Sequence, residues 1–323
     1  MAADFSAFQS DFHRRWGALR DPHVRALAWL LEAPDLLDTT SPRWQGRLAS
    51  LIDHNDADEL HTLDKQPAAL HRSLNEQPLV RLGRYAEKLL AWYFAQKGVL
   101  HAHGLQVRDP TDGTLGEFDF LLRLPAGLEH WELATKFYLL RPQPASGAIP
   151  DQRVDRPDYF ISPNLADTLG AKMQKIFGRQ LALGEHPAAR ALLGEPLAAA
   201  KALIKGWLFY RRDDPVNGGA FGVSPSHCRG WWCRIDELSD HLSEVSMILP
   251  RLSWLAPAQV DRAEFSAFTE AEARLRQVVA SNDMPVMVAN LSMVQGLWTE
   301  TDRGFVVPAD WEARANERAA ATA

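Results

Sequence analysis

Only two cysteines, Cys228 and Cys233, occur in 323 residues. Two cannot staple a fold of this size, and the expectation is that both stay thiols, with no structural disulfide. No run reaches the ~18 consecutive apolar residues of a membrane helix. The opening MAADFSAFQSDFHRR lacks the basic-then-apolar order of a secretory signal, so the chain is expected to be cytoplasmic. There is no Gly-x-x-x-x-Gly-Lys-Ser/Thr loop, no Gly-x-Ser-x-Gly elbow and no Rossmann glycine fingerprint, which disfavours P-loop, α/β-hydrolase and dinucleotide chemistry. An excess of basic charge is missing as well. With 35 Lys+Arg against 41 Asp+Glu the net charge is −6, which argues against coating nucleic acid through a broad basic surface and leaves room only for a local basic groove. His227, Cys228 and Cys233 supply three soft ligands, but a closed zinc site takes four.

What is present is an ordinary globular composition, 46% hydrophobic and 24% charged, patterned in three stretches. From Phe5 to about Asn75 apolar residues recur at helical spacing (Phe8, Phe12, Trp16, Leu19; then Val24, Leu27, Leu30, Leu31), and Ser41-Pro42 starts a further predicted helix over RWQGRLASLI. A stronger helix is predicted from Leu79 to Gln96, ending at Lys97-Gly98 with a basic last turn and a glycine cap. The period then changes to that of strands in VLHAHGLQVRD, GEFDFLLRL and HWELATKFYLL, which predicts a β-meander. A Pro- and Gly-rich segment, RPQPASGAIPDQRVDRPD, reads as a long surface loop before a short strand at Tyr159–Ile161. Helices are predicted over Asp167–Leu183 and Pro187–Ile204, followed by a strand in GWLFYRR. Beyond Asp213 come short strands (GWWCRI, SWLAP, PVMVANL, GFVVP), a helix over Asp261–Ala280 and a frayed tail after Asn316. The sequence therefore divides into a helical region 1–78, an α/β core 79–212 and a C-terminal α+β region 213–323.

The chemistry lies in Gly116-Glu117-Phe118-Asp119-Phe120 and in Trp131-Glu132-Leu133-Ala134-Thr135-Lys136. Residues two apart on a strand share a face, so Glu117 and Asp119 are expected on one side and Phe118 and Phe120 on the other. On the next strand Glu132, Ala134 and Lys136 share a face, and a hairpin through Pro125-Ala126-Gly127 brings that face beside Asp119. Hard divalent cations such as Mg²⁺ take carboxylate oxygens together with water and phosphate. Asp119 and Glu132 can supply them, and Lys136 is the nearest lysine to neutralise charge or orient water. The plain alternative is an exposed hairpin whose charges simply face water.

The order Gly-x-x-x-Glu on a helix, Gly-Glu-apolar-Asp on a strand and an acid on the following strand resembles the PD-(D/E)XK nuclease superfamily, the restriction-endonuclease-like fold. The matching residues are Gly83 and Glu87, then Glu117 and Asp119, then Glu132, within about Leu79 to Ile176. The whole chain more closely resembles an uncharacterised bacterial domain family grouped with those nucleases. The resemblance implies a mixed sheet flanked by helices, Mg²⁺ or Mn²⁺ on Asp119 and Glu132 with Glu87 assisting, and DNA or RNA as partner.

One position departs from that pattern. Acid-x-lysine would place lysine at 134, where this chain has Ala134, with Lys136 two residues on, a displacement of roughly 6–7 Å along a strand. Lys172 and Lys175, three apart on the following helix, are the other candidates for the lysine. Two readings stay open: a metal-dependent nuclease, and a non-catalytic descendant of the fold that binds nucleic acid or a protein partner. Other candidates are weaker. His101 and His103 share a strand face; Trp231 or Trp232 could stack on a base, with one of them expected in the core; Lys201, Lys205, Arg211 and Arg212 could meet phosphate.

Overall fold

The structure is a computed structural model, which describes residues 5–51, 56–75, 81–109, 113–141, 159–212, 220–260, 266–282 and 284–320. The predicted loop over 142–158 and the predicted break at 213–219 lie outside the described residues. Helices α1 (Ala7–Trp16), α2 (Pro22–Glu32), α3 (Ala57–Lys65), α4 (Ala68–Asn75) and α5 (Leu82–Gln96) come first. They precede an eleven-stranded mixed sheet.

Strands β1 (Leu100–Asp109), β2 (Gly113–Leu124) and β3 (Gly127–Leu140) form the meander, antiparallel throughout, with β2 and β3 joined at Leu124↔Gly127. After β4 (Phe160–Ile161), helices α6 (Leu169–Lys175) and α7 (Pro187–Leu193) cross over to β5 (Ala199–Tyr210), which lies parallel to β3 from Glu129↔Ala199 to Leu139↔Phe209. The sheet then continues through β6 (Cys228–Arg234), parallel to β5. Beyond it lie β7 (Val245–Ile248), β8 (Gln259–Val260), β9 (Ser266–Ala267), β10 (Val286–Val294) and β11 (Leu297–Val307). One sheet thus runs across residue 213. Helices α8 (Phe268–Asn282) and α9 (Trp311–Ala320) complete the chain. No helix among the described residues is long and apolar enough to cross a membrane.

Two apolar layers cover the sheet, and β5 shows why. Leu203, Trp207 and Phe209 enter one core while Ala202, Ile204, Leu208 and Tyr210 enter the other, the signature of a central strand buried on both faces. Helix α5 packs on the first layer through Tyr85, Ala86, Leu89, Leu90, Tyr93 and Phe94, a three-and-four spacing that gives one apolar stripe. It ends where Gly98 takes φ +69°, a conformation that favours glycine. At the β3–β5 seam Gly206 faces Lys136, and a Cβ there would overlap the Lys136 carbonyl. Gly206→Ala is therefore expected to cost about 3 kcal/mol, the upper end for overpacking, read as a lowered urea midpoint at unchanged slope.

Several sequence expectations are corrected. The helix expected over Pro187–Ile204 stops at Leu193, because Gly194 caps it at φ +71° and Pro196 follows. The alanine-rich remainder is β5, whose strand character comes from burial on both faces and not from β-propensity. RWQGRLASLI forms only a single 3₁₀ turn, Pro42–Trp44, after which Leu48 bridges Ala202. SWLAP is a 3₁₀ turn and coil, not a strand. Helix α6 passes at Ile176 into a π-helical turn ending at Gln180, and the tail expected to fray after Asn316 stays helical to Ala320. Both Trp231 and Trp232 are fully buried, one in each layer.

Candidate active site

Strict alternation fails at Asp119. Phe118 packs with Val107, Leu121, Leu128 and Ala189, whereas Phe120 joins the α5 layer, so the two phenylalanines do not share a face. Gly104 of β1, between the paired residues His103 and Leu105, takes φ +64° beside the Glu117 carboxylate. Glu117 meets α5 through Arg84, which pairs with Glu117 at 3.1 Å and with Glu87 at 2.8 Å. Asp119 takes the backbone N–H of Leu133 on Oδ2 at 3.0 Å, which ties it to β3 beside Glu132.

Glu132 is 1% exposed and held from two sides. His130 Nε2 lies 2.8 Å from its Oε1, and Gln180 Nε2 donates to its Oε2. Gln180 in turn accepts from Lys172 Nζ at 3.3 Å. The π-helical turn carries Gln180 into that bridging position, and such turns recur at functional sites. His130 is fully buried under the Phe118 ring at 4.6 Å, and burial holds its pKa down to about 4. The neutral ring donates from Nε2 when Glu132 is ionised, and its Nδ1 is buried with no partner among the described residues.

The electrostatics tie three of the acids into one cluster. Burial pushes the Asp119 carboxyl up to about 7, and the charge of Glu132 adds to that push. Burial also raises Glu87 to about 7, with Asp119 as the next cause and Arg84 opposing. Glu132 is pushed up to about 7 by burial, opposed by Lys172 and by a hydrogen bond from the Asp119 backbone N–H, and assisted by Glu117. Like charges held together out of water raise each other's pKa, and a cation would relieve the repulsion. Burial, together with Lys136 and Lys175, lowers the pKa of Lys172.

The residues singled out from sequence are distributed as follows. Asp119, Glu132 and Glu87 are electrostatic neighbours. Lys136 is engaged by Asp167: its Nζ lies 3.0 Å from Asp167 Oδ2, which Tyr138 also meets at 3.0 Å. Lys172 is the lysine whose charge acts on both Asp119 and Glu132, and Lys175 acts on Glu132. Sequence reasoning missed Gln180 and His130. His130 was open to detection, since it stands two residues before Glu132 on one strand and so shares its face. The phosphate candidates are engaged elsewhere: Lys201 with Glu129, Lys205 with Asp35, Arg211 with Glu237 and Glu312, and Arg212 with the His241 ring at 3.0 Å. His227 lies against Tyr210 at 2.8 Å, and burial pushes the Cys228 and Cys233 thiols up to about 12.

The donor set is all carboxylate, which suits Mg²⁺ or Mn²⁺ and not zinc. Among the described residues no group of three His, Cys, Asp or Glu side chains is arranged to hold a metal. The fit is thus that of a cation on one or two carboxylates with water completing the shell.

The fold and the cluster together define a mixed α/β protein with buried acidic side chains at the junction of a helix and a β-meander. A family described as a domain of unknown function (DUF1853) matches residues 25–307, and the chain belongs to that family. Comparison with curated proteins and with solved structures finds no match to the chain.

Proposed function

We propose that this chain is a metal-dependent phosphodiester hydrolase of the PD-(D/E)XK nuclease type, acting on DNA or RNA. The observation that carries the reading is the tie of Asp119 to the β3 backbone beside Glu132, through Leu133 N–H at 3.0 Å, with Lys172 joined to Glu132 through Gln180 and Glu87 an electrostatic neighbour of Asp119. The order of elements agrees with the resemblance: a helix bearing Glu87, a strand bearing Asp119, then a strand bearing Glu132.

Asp119 and Glu132 would hold Mg²⁺ or Mn²⁺, with Glu87 behind Asp119. When bound, the cation supplies positive charge at a phosphate oxygen and acidifies water. The chain's own groups do the positioning. Leu133 N–H fixes Asp119, while His130 and Gln180 fix Glu132 and leave its carboxylate little freedom to turn. Lys172, held by Gln180, brings an ammonium to the place where charge develops on the phosphate, the role that Lys136 would have filled had Asp167 not taken it.

A second reading is a non-catalytic descendant that binds nucleic acid or a protein partner. Ala134 at the usual lysine position favours it. Incubation of the full chain with single-stranded DNA, double-stranded DNA and RNA in Mg²⁺ or Mn²⁺ separates the two. Cleavage that chelation stops supports the hydrolase; intact substrates throughout, with binding retained, support the second reading.

A further inference from the structure

Beside the acid cluster lies a cleft of about 460 Å³ whose lining includes Glu117, Lys175, Arg179 and Gln180. Gln180 and Glu117 are its links to the acid cluster: the first donates to Glu132, the second shares Arg84 with Glu87. We infer that this cleft receives one unpaired nucleotide of the substrate, so that the protein engages single strands or frayed ends and not intact duplex. The inference rests on the hydrolase-fold reading for its ligand class and adds the form of the nucleic acid.

Three observations carry it. The first is charge. Lys175 and Arg179 are exposed on the rim, in a chain of net charge −6 in which Lys201, Lys205 and Arg211 are taken up by acids. Two cations suit one or two phosphates of a single strand and fall short of the six to ten contacts that hold many duplex binders. The second is size. About 460 Å³ is within the range of small-ligand pockets and suits a base with its sugar, whereas B-form DNA has a major groove about 12 Å wide by itself. The third is the character of the wall. Leu115, Ala182 and Leu183 give an apolar side for a flat base, closed behind Gly116, where a Cβ would stand 3.1 Å from Leu183. His186, also in the lining, is fixed by accepting from Ala188 N–H on Nδ1 at 3.2 Å.

The test uses the full chain with a fluorescein-labelled 12-mer single-stranded DNA, its RNA counterpart and the blunt duplex, in Mn²⁺. Wild type should cleave or bind the single strand at least 10-fold better than the duplex. The logarithm of its binding constant should fall with log[salt] at a slope near −1.4 for two contacts, shallower by about 0.7 in Arg179→Ala or Lys175→Ala. Ala182→Phe, which narrows the cleft without removing charge, should raise KM for the single strand at least 10-fold while the Mn²⁺ thermal shift stays. Duplex handled as well as single strand, or single-strand binding unaltered in all three variants, overturns the inference while leaving the hydrolase reading intact. Wild type that cleaves nothing removes the hydrolase reading alone; single-strand binding with the stated salt slope then still upholds the cleft, and failure to bind overturns it.

Discussion

Lys172→Ala is expected to lower metal-dependent cleavage by ~10²–10⁴-fold, the range for removing a charge-stabilising or proton-handling group at the reacting phosphate. Lys136→Ala should leave the rate within a few-fold of wild type. The contrast follows from geometry. Lys136 stands on the sheet face of Glu132 but spends its ammonium on Asp167 at 3.0 Å, whereas Lys172 reaches Gln180 at 3.3 Å and through it Glu132. Gln180→Ala should lie between the two and raise no new activity, since it frees both Lys172 and Glu132 without removing either. Single-turnover kinetics at saturating Mg²⁺ check the order; a larger loss in Lys136→Ala than in Lys172→Ala would reverse the assignment.

Glu132→Gln is expected to abolish metal-induced stabilisation and, without metal, to stabilise the fold at pH 8 by about 1–3 kcal/mol. The sign follows from the raised carboxyl. Below pH 4.5 Glu132 is protonated in both the folded and the unfolded chain and costs nothing. As pH climbs from 4.5 to about 7 the unfolded chain ionises first, so the folded state loses stability, and above about 7 the full penalty stands. Asp119 and Glu87 behave alike. Buried His130, with its pKa held down to about 4, acts oppositely: its contribution is present above 6.5 and is lost as pH falls toward 4. The informative quantity is therefore the difference between wild type and Glu132→Gln, large at pH 8 and shrinking toward pH 5, measured by urea unfolding in EDTA. A variant less stable than wild type at pH 8 would mean that the carboxylate is held favourably without metal.

Asp119 and Glu132 were legible because a period of two and a short turn suffice to place one beside the other, and the register Phe120↔Trp131 is the one that pairing requires. Glu87 was legible only through the resemblance, since nothing local to α5 distinguishes it from an exposed glutamate. The lysine was not legible. Its identity depends on Asp167, thirty-one residues beyond Lys136, and on a π-helical turn that no periodicity announces. Strand alternation also put Phe118 and Phe120 on one face, whereas they enter different cores where Gly104, opposite Asp119, takes φ +64°. Likewise the alanines of β5 read as helix by propensity and form a strand by burial on both faces. Local pattern carried the pocket's two strand acids; tertiary contact decided everything that surrounds them.

The most direct measurement is a crystal structure of the full chain soaked in Mn²⁺, with the metal located by its anomalous signal. The account requires a peak within about 2.0–2.4 Å of carboxylate oxygens of both Asp119 and Glu132, with Lys172 on the same side. A peak bound elsewhere, or Asp119 and Glu132 unliganded at saturating Mn²⁺, would contradict it.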